Sequence, residues 1–141
     1  MLPKWHIFLT AAFCAVLYLL GFDISLQNIL LIILGGILID IDHYIAYIFI
    51  KKDFNLKRAY KYFVKMREKI KRGKKVNVPL CVFHTLEFVI ALAVIVFFNK
   101  TLLFLFIAML FHLMLDFIEG FLTNTTQFSK YSIIYSVSRR K

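Results

Sequence analysis

The chain has 141 residues, of which 61% are hydrophobic and 17% aromatic, and its formal net charge is +10. A soluble domain of this length rarely has such a composition. The positive charge does not indicate a nucleic-acid partner, because the basic residues lie almost wholly between and after the apolar segments. Both cysteines, Cys14 and Cys81, lie within apolar stretches and are interpreted as small apolar fillers rather than a disulfide, with a thiolate ligand at Cys81 left open.

Four apolar stretches follow one another, each close to the ~20 residues that cross ~30 Å of hydrocarbon. They cover 5–22, 26–50, 79–98 and 101–122, and none contains a lysine or an arginine. The first stretch follows a single lysine and lacks a small-residue cleavage site, so it is interpreted as a retained span rather than a signal peptide. We therefore predict an all-α integral membrane protein, a single membrane domain over 1–141 with four transmembrane helices.

The distribution of lysine and arginine predicts the orientation. Twelve of the eighteen basic residues lie between Lys51 and Lys75, so the loop 51–78 should be cytoplasmic. Four spans then place both termini on the cytoplasmic side, in agreement with Lys4 and with the basic residues at the C-terminus. The expected location is the inner (plasma) membrane of a prokaryote. The tail 123–141 is interpreted as an interfacial or loosely ordered segment.

Within the basic loop, apolar residues recur at helical spacing among the lysines: Leu56, Tyr60, Phe63, Val64 and Ile70. This pattern predicts a basic amphipathic helix that lies on the anionic inner leaflet, with membrane lipids as its partner. A solvated topology signal with no other role explains the same pattern equally well.

All four histidines and five of the eight carboxylates lie inside the apolar spans. Each ionised group at membrane depth costs about 2.5–3.5 kcal/mol on insertion scales. The spans supply no basic partner, so the acids must be protonated, hydrated or bound to cations. The residues concerned are His6, His43, His84, His112, Asp40, Asp42, Glu87, Asp116 and Glu119.

Helical spacing favours binding to a cation. The second to fourth spans each place polar side chains three or four residues apart on one face: in order, Asp40 with His43, His84 with Glu87, and His112 with Asp116 and Glu119. Asp42 points about 200° away from Asp40 on a regular helix, so it joins the same centre only if the helix unwinds locally. With the orientation taken from the lysines, the histidines and their aspartates all fall within roughly 15 Å of the cytoplasmic edge.

A mixed set of imidazoles and carboxylates suits Zn²⁺, Mn²⁺ or Fe²⁺, as one ion with supporting carboxylates or as two ions bridged by a carboxylate. We expect a divalent metal ion, zinc first, held by Asp40, Asp42, His43, His84, His112 and Asp116. Candidate catalytic groups are Glu87, Glu119 and His6, although an isolated histidine such as His6 is more often an interfacial hydrogen-bonding group. A proton relay or a structural hydrogen-bond network is the alternative to a metal.

Four motifs in chain order carry a resemblance to a known family: KWHIFLTAA with His6, LIDIDHYI with Asp40, Asp42 and His43, FHTLEF with His84, and FHLMLDF with His112 and Asp116. Together they resemble the YdjM-like, predicted membrane-bound, metal-dependent hydrolases of the LexA-regulated type, over most of the chain. The chain departs from the family pattern at three positions. Ile39 stands where the family has a proline, and Pro79 and Leu80 stand where it has a histidine and an arginine.

The resemblance implies a hydrolase that acts at the cytoplasmic leaflet on a lipid or lipid-linked ester or phosphoester. A metal-activated water would be the nucleophile, with Glu87 or Glu119 as the proton shuttle. One alternative is a metal or proton transporter. A transport pathway needs polar groups along the full depth of the bilayer, and the outer halves of the spans have almost none. The other is a non-catalytic membrane protein with a structural cluster, which the changes at Pro79 and Leu80 keep open.

Overall fold

A computed structural model describes residues 3–22, 24–74, 76–123 and 132–134, and all regular structure within these ranges is helical. The longer helices are α1 (Pro3–Leu19), α2 (Leu26–Gly36), α3 (Ile41–Lys51), α4 (Leu56–Lys71), α5 (Leu86–Phe98) and α6 (Leu103–Leu122). Short 3₁₀ turns, Leu38–Asp40, Val82–His84 and Lys100–Leu102, precede α3, α5 and α6. The all-α prediction is confirmed for this part of the chain. The predicted tail 123–141 lies outside the described residues except for Thr123 and 132–134.

Helices α2 and α6 pack closely around a glycine. A Cβ at Gly35 would overlap the Leu105 carbonyl oxygen and would lie 3.0 Å from Met109 N, both in the backbone of α6. Small residues let helix backbones approach closely in membranes. Ala108, which faces the same contact, is completely buried. This packing places the first half of α6 beside the end of α2.

The predicted span 26–50 is helical in both halves but broken between them. α2 ends at Gly36, Ile37 adopts φ −125° and ψ −52°, and a 3₁₀ turn follows before α3 begins. The Gly36 carbonyl accepts hydrogen bonds from Thr10 Oγ1 at 3.2 Å and from His112 Nδ1 at 2.9 Å. Broken helices are tolerated at membrane depth where neighbouring groups satisfy the backbone in this way.

The predicted span 79–98 is helical only in its later part, so the prediction of a helix from residue 79 is corrected. Residues 76–81 have no regular structure, and Pro79 supplies no backbone N–H. α5 begins at Leu86 because Thr85 caps it, with Thr85 Oγ1 accepting a hydrogen bond from Phe88 N at 3.4 Å. His84 and Glu87 consequently do not share a helix face.

The basic amphipathic helix is present as α4. Its residues Ala59, Met66 and Ile70 are buried and the helix packs against α3, whereas Leu56 is 66% exposed and Tyr60 48% exposed. The apolar side of α4 is therefore divided between the helix bundle and the surroundings. Contact of the exposed part with lipid stays a prediction.

Asp53 holds the turn between α3 and α4. Its carboxylate accepts hydrogen bonds from Tyr47 OH at 2.6 Å and from Asn55 N at 3.0 Å, and it forms an ion pair with Arg58 at 2.9 Å. The hydrogen bond from Tyr47, the one from Asn55 and the charge of Arg58 hold the pKa of Asp53 below its ordinary value. These contacts fix the start of α4 relative to α3.

Two helical runs are long and apolar enough to cross a membrane: Leu26–Lys51, with 26 residues, and Lys100–Leu122, with 23. Only 28% and 17% of their apolar windows are buried, whereas the core helix of a soluble protein is mostly buried. α1 and α5 are shorter apolar helices, and residues such as Leu19 and Phe98 on them are more than 80% exposed. Exposed apolar surface of this extent marks contact with a membrane or a partner. The described residues therefore indicate a membrane protein.

Candidate metal centre

Four side chains from three segments meet at one point. Asp40 ends the 3₁₀ turn before α3, His84 ends the turn before α5, and His112 and Asp116 lie one turn apart on α6. One ligand atom from each lies within 4.8 Å of the others. His112 is fully buried and the Asp40 side chain, the most exposed of the four, is 23% exposed. This four-residue cluster can hold a metal ion.

Hydrogen bonds fix the direction of both imidazoles. His112 Nδ1 lies 2.9 Å from the Gly36 carbonyl oxygen, which can only accept, so Nδ1 carries the proton. His84 Nδ1 faces Asp42 Oδ2 at 3.0 Å, and the same oxygen accepts a hydrogen bond from Phe83 N. As neutral rings, both histidines then direct the lone pair of Nε2 into the cluster. The two Nε2 atoms are 3.2 Å apart, a contact that needs a cation or a proton between them.

Five of the six separations within the four-residue cluster are close to those of a tetrahedral coordination shell, and the sixth, between Asp40 and Asp116, is within 4.8 Å. His84 Nε2 lies 3.2 Å from His112 Nε2, 3.4 Å from Asp40 Oδ1 and 3.7 Å from Asp116 Oδ2. His112 Nε2 lies 3.6 Å from each of the same two carboxylate oxygens. Bonds of 2.0–2.1 Å at tetrahedral angles separate zinc ligands by about 3.3–3.4 Å. These five separations deviate from that spacing by at most about 0.4 Å.

His6 lies beside the cluster and supports Asp116. It is 1% exposed, and its ring stacks on His112 with the centroids 3.9 Å apart. His6 Nε2 is 3.1 Å from Asp116 Oδ1 and donates to it, while Asp116 Oδ2 faces the two imidazoles. Outer partners of this kind orient metal-binding side chains and are worth about 10- to 100-fold in affinity. The structure thus gives His6 a hydrogen-bonding position.

Asp42 and His43, both predicted as ligands, form a neighbouring group with Cys81 instead of joining the four-residue cluster. The ligand atoms of this three-residue group also lie within 4.8 Å of one another. Asp42 Oδ1 is 2.9 Å from His43 Nδ1, while Asp42 Oδ2 faces His84. The irregular backbone lies at Ile37, before Asp40, and not between Asp40 and Asp42 as the prediction for Asp42 required, since Asp40 and Ile41 have right-handed helical dihedrals.

Glu87 and Glu119, the two candidate proton shuttles, lie outside both ligand groups. Glu87 Oε1 accepts hydrogen bonds from Ser132 Oγ at 2.7 Å and from Ile134 N at 3.3 Å. Glu119 forms an ion pair with Arg67 of α4. The spans themselves supply no basic partner, as expected, but α4 supplies one to Glu119 from outside them. Sequence spacing carries no signal for this pair, because it joins two elements that are far apart in the chain.

α4 covers the most exposed edge of the two groups. Among their members His43 has the greatest side-chain exposure, 36%, and the Phe63 ring meets it edge-on with the centroids 5.2 Å apart. Arg67 lies one turn beyond Phe63 on the same face of α4. His43 is therefore the most accessible member of the two groups, beside this face of α4.

The chain matches no family model, no curated protein and no solved structure. The resemblance to the YdjM-like hydrolases consequently stays a prediction from four sequence motifs. The structure itself gives a cluster of histidines and aspartates that can bind a metal ion, within an all-helical chain that has two helices of membrane-spanning length.

Proposed function

We propose that the chain is a membrane-embedded, metal-dependent hydrolase whose centre includes Asp40, His84, His112 and Asp116. The proposal is supported above all by the two imidazole Nε2 atoms, which lie 3.2 Å apart with their protons directed away from each other. A divalent cation satisfies both lone pairs and neutralises both carboxylates at once, which matters where an uncompensated charge is costly. Zn²⁺ fits the tetrahedral spacing, and Mn²⁺ or Fe²⁺ accept the same donor atoms.

The residues around the ion have distinct parts in the proposed reaction. When bound, the ion would supply Lewis acidity and lower the pKa of a water. His6 orients Asp116, and Asp42 orients His84, through the hydrogen bonds described above. Glu119 lies one turn beyond Asp116 on α6, and we propose it, ahead of Glu87, as the proton shuttle, because α6 also supplies two of the four ligands.

The proposed setting is the inner membrane of a prokaryote, crossed four times with both termini in the cytoplasm. The basic loop supports this orientation, and the cluster lies where the loop, the start of α1 and the turn before α5 come together. A centre near the inner leaflet suits a lipid or lipid-linked phosphoester. Reporter fusions after residue 141 and within the loop at 99–100 should report cytoplasmic and external locations, respectively, and the reverse pattern would refute the topology.

Elemental analysis of the detergent-purified chain tests the centre. We expect at least one equivalent of a divalent metal in the wild type, a lower content in His112→Ala and Asp40→Ala, and an unchanged content in Asp53→Asn, a carboxylate outside both ligand groups. Absence of stoichiometric metal from the wild type after reconstitution would contradict the proposal and favour a proton shared by His84 and His112.

Hydrolysis is tested with a panel of phospholipids and phosphodiesters, with and without a chelator. The proposal expects turnover that the chelator abolishes and the metal restores. A second function, a structural metal that staples a small bundle, is favoured by one observation: four protein ligands is the pattern of closed, structural zinc sites. Bound metal without turnover across the panel would support that alternative, and metal flux into proteoliposomes would support a transporter.

A further inference from the structure

The three-residue group of Asp42, His43 and Cys81 differs from the four-residue cluster in donor chemistry. It contains a thiol, and Cys81 is only 6% exposed. Thiolate is a soft ligand that selects ions such as zinc over hard cations such as magnesium. An imidazole, a carboxylate and a thiolate within 4.8 Å of one another are a donor set that zinc accepts.

The two oxygens of Asp42 face different neighbours. Oδ2 accepts hydrogen bonds from His84 Nδ1 at 3.0 Å and from Phe83 N at 3.1 Å, on the side of the four-residue cluster. Oδ1 faces His43 Nδ1 at 2.9 Å, and this Nδ1 also lies 3.5 Å from Asp40 Oδ1 of the four-residue cluster. An ion bound by Oδ1, His43 and Cys81 therefore leaves the support of His84 intact. One carboxylate serves both groups without sharing an oxygen.

Charge balance favours a second ion. Asp40, Asp42 and Asp116 carry three negative charges when ionised, and one divalent ion leaves one of them uncompensated next to neutral histidines. A second divalent ion that displaces the Cys81 proton gives two ions against three carboxylates and one thiolate, which is neutral. Neutrality is the favourable condition for groups at membrane depth.

Ligand number and exposure distinguish the two groups further. Zinc sites with three protein ligands keep a coordination position for water or substrate, whereas sites with four are closed. His112 is fully buried, while His43 is 36% exposed under the Phe63 edge of α4. His43 is thus the most exposed ligand of either group, while Asp42 and Cys81 beside it are buried.

We propose that Asp42, His43 and Cys81 form a second site, for a thiophilic divalent cation of the zinc type, and that this site presents the open coordination position to the substrate. The assignment of the open position to substrate rests on the proposed hydrolase function. Binding of the second ion does not depend on it.

Cobalt substitution of the full chain in detergent tests the second site. Co²⁺ bound to a thiolate gives a charge-transfer band in the near ultraviolet that imidazole and carboxylate ligands do not give. We expect two Co²⁺ per wild-type chain and the thiolate band. Cys81→Ser should keep one Co²⁺ and lose the band, whereas the matched control Cys14→Ser, the other cysteine of the chain, should keep two ions and the band.

His43→Ala provides a second variant if Cys81→Ser fails to fold, because His43 is partly exposed and its loss leaves the buried packing in place. It should also lower the content to one Co²⁺. One ion in the wild type, lost in His112→Ala, would overturn the second site and leave the proposed four-residue centre standing. A thiolate band that survives Cys81→Ser would overturn it as well. No bound metal in any variant would refute both proposals.

Discussion

Replacing His6 by phenylalanine tests whether a residue outside the ligand set controls metal affinity. Phenylalanine keeps a planar ring in the buried position that stacks on His112, with the centroids 3.9 Å apart in the native chain. It removes the Nε2 donor that lies 3.1 Å from Asp116 Oδ1. Asp116 then loses one of the contacts that turn Oδ2 toward the two imidazoles.

The magnitude follows from the kind of bond that is lost. A hydrogen bond to a charged group contributes about 1.5–3 kcal/mol, and each 1.4 kcal/mol corresponds to a factor of about ten in an equilibrium constant. We therefore expect the metal dissociation constant of His6→Phe to rise about 10- to 100-fold, the range found for outer-shell partners of metal ligands. The metal-free fold should change little, because the aromatic stacking remains.

Competition against a chelating dye in detergent measures the dissociation constant. His6→Gln should recover part of the affinity, since its amide N–H can donate in place of the imidazole. Trp5→Phe is the matched control, because Trp5 precedes His6 on α1 and is 48% exposed. If His6→Phe binds metal as tightly as the wild type while His112→Ala does not bind it, the orienting role of His6 is refuted.

Three further predictions concern the frame around the centre. Gly35→Ala should destabilise the chain by about 1–3 kcal/mol in detergent unfolding, because the new Cβ overlaps the backbone of α6; an unchanged midpoint would contradict the close helix contact. Because folding lowers the pKa of Asp53, its ionised carboxylate stabilises the turn between α3 and α4 at pH values above about 3.9, the unfolded pKa. This stabilisation is lost as the pH falls through the folded pKa. Protection factors of the amides in this turn, which are corrected for the intrinsic pH dependence of exchange, should therefore fall on acidification in the wild type but not in Asp53→Asn, and equal acid sensitivity of both would argue against the role of Asp53. Arg67→Met should speed proteolysis of the basic loop without lowering the metal content, because it breaks the contact with Glu119; unchanged cleavage would show that the ion pair does not hold α4.

Local pattern was sufficient for several features of this protein. The spacing of His112 and Asp116 by four residues on α6 places both at the centre, as helical geometry requires. The basic helix α4 follows from its apolar periodicity, and the clustering of histidines and aspartates was indicated by their presence in spans without lysine or arginine. Each of these inferences depends on neighbours within a few residues along the chain.

Contacts between distant segments decided the remainder. The helix breaks at Gly36, where α6 lies against the preceding Gly35. The break is tolerated because Thr10 and His112 donate hydrogen bonds to the Gly36 carbonyl oxygen. Both partners come from other helices, so no local pattern predicts them. α5 likewise starts late, so His84 lies in a turn rather than on a helix. This turn is held by a hydrogen bond from Phe83 N to Asp42, forty-one residues away in the chain.

The helical class, the apolar segments and the clustering of histidines and aspartates follow from the sequence, since these depend on composition and on the period of a helix. Tertiary contacts set how those side chains divide: four face one point, two form a neighbouring group with Cys81, and His6, Glu87 and Glu119 are engaged at the margins. The physical reason is that the direction of an imidazole or a carboxylate is fixed by its hydrogen-bond partners, and here most of those partners come from other segments of the chain.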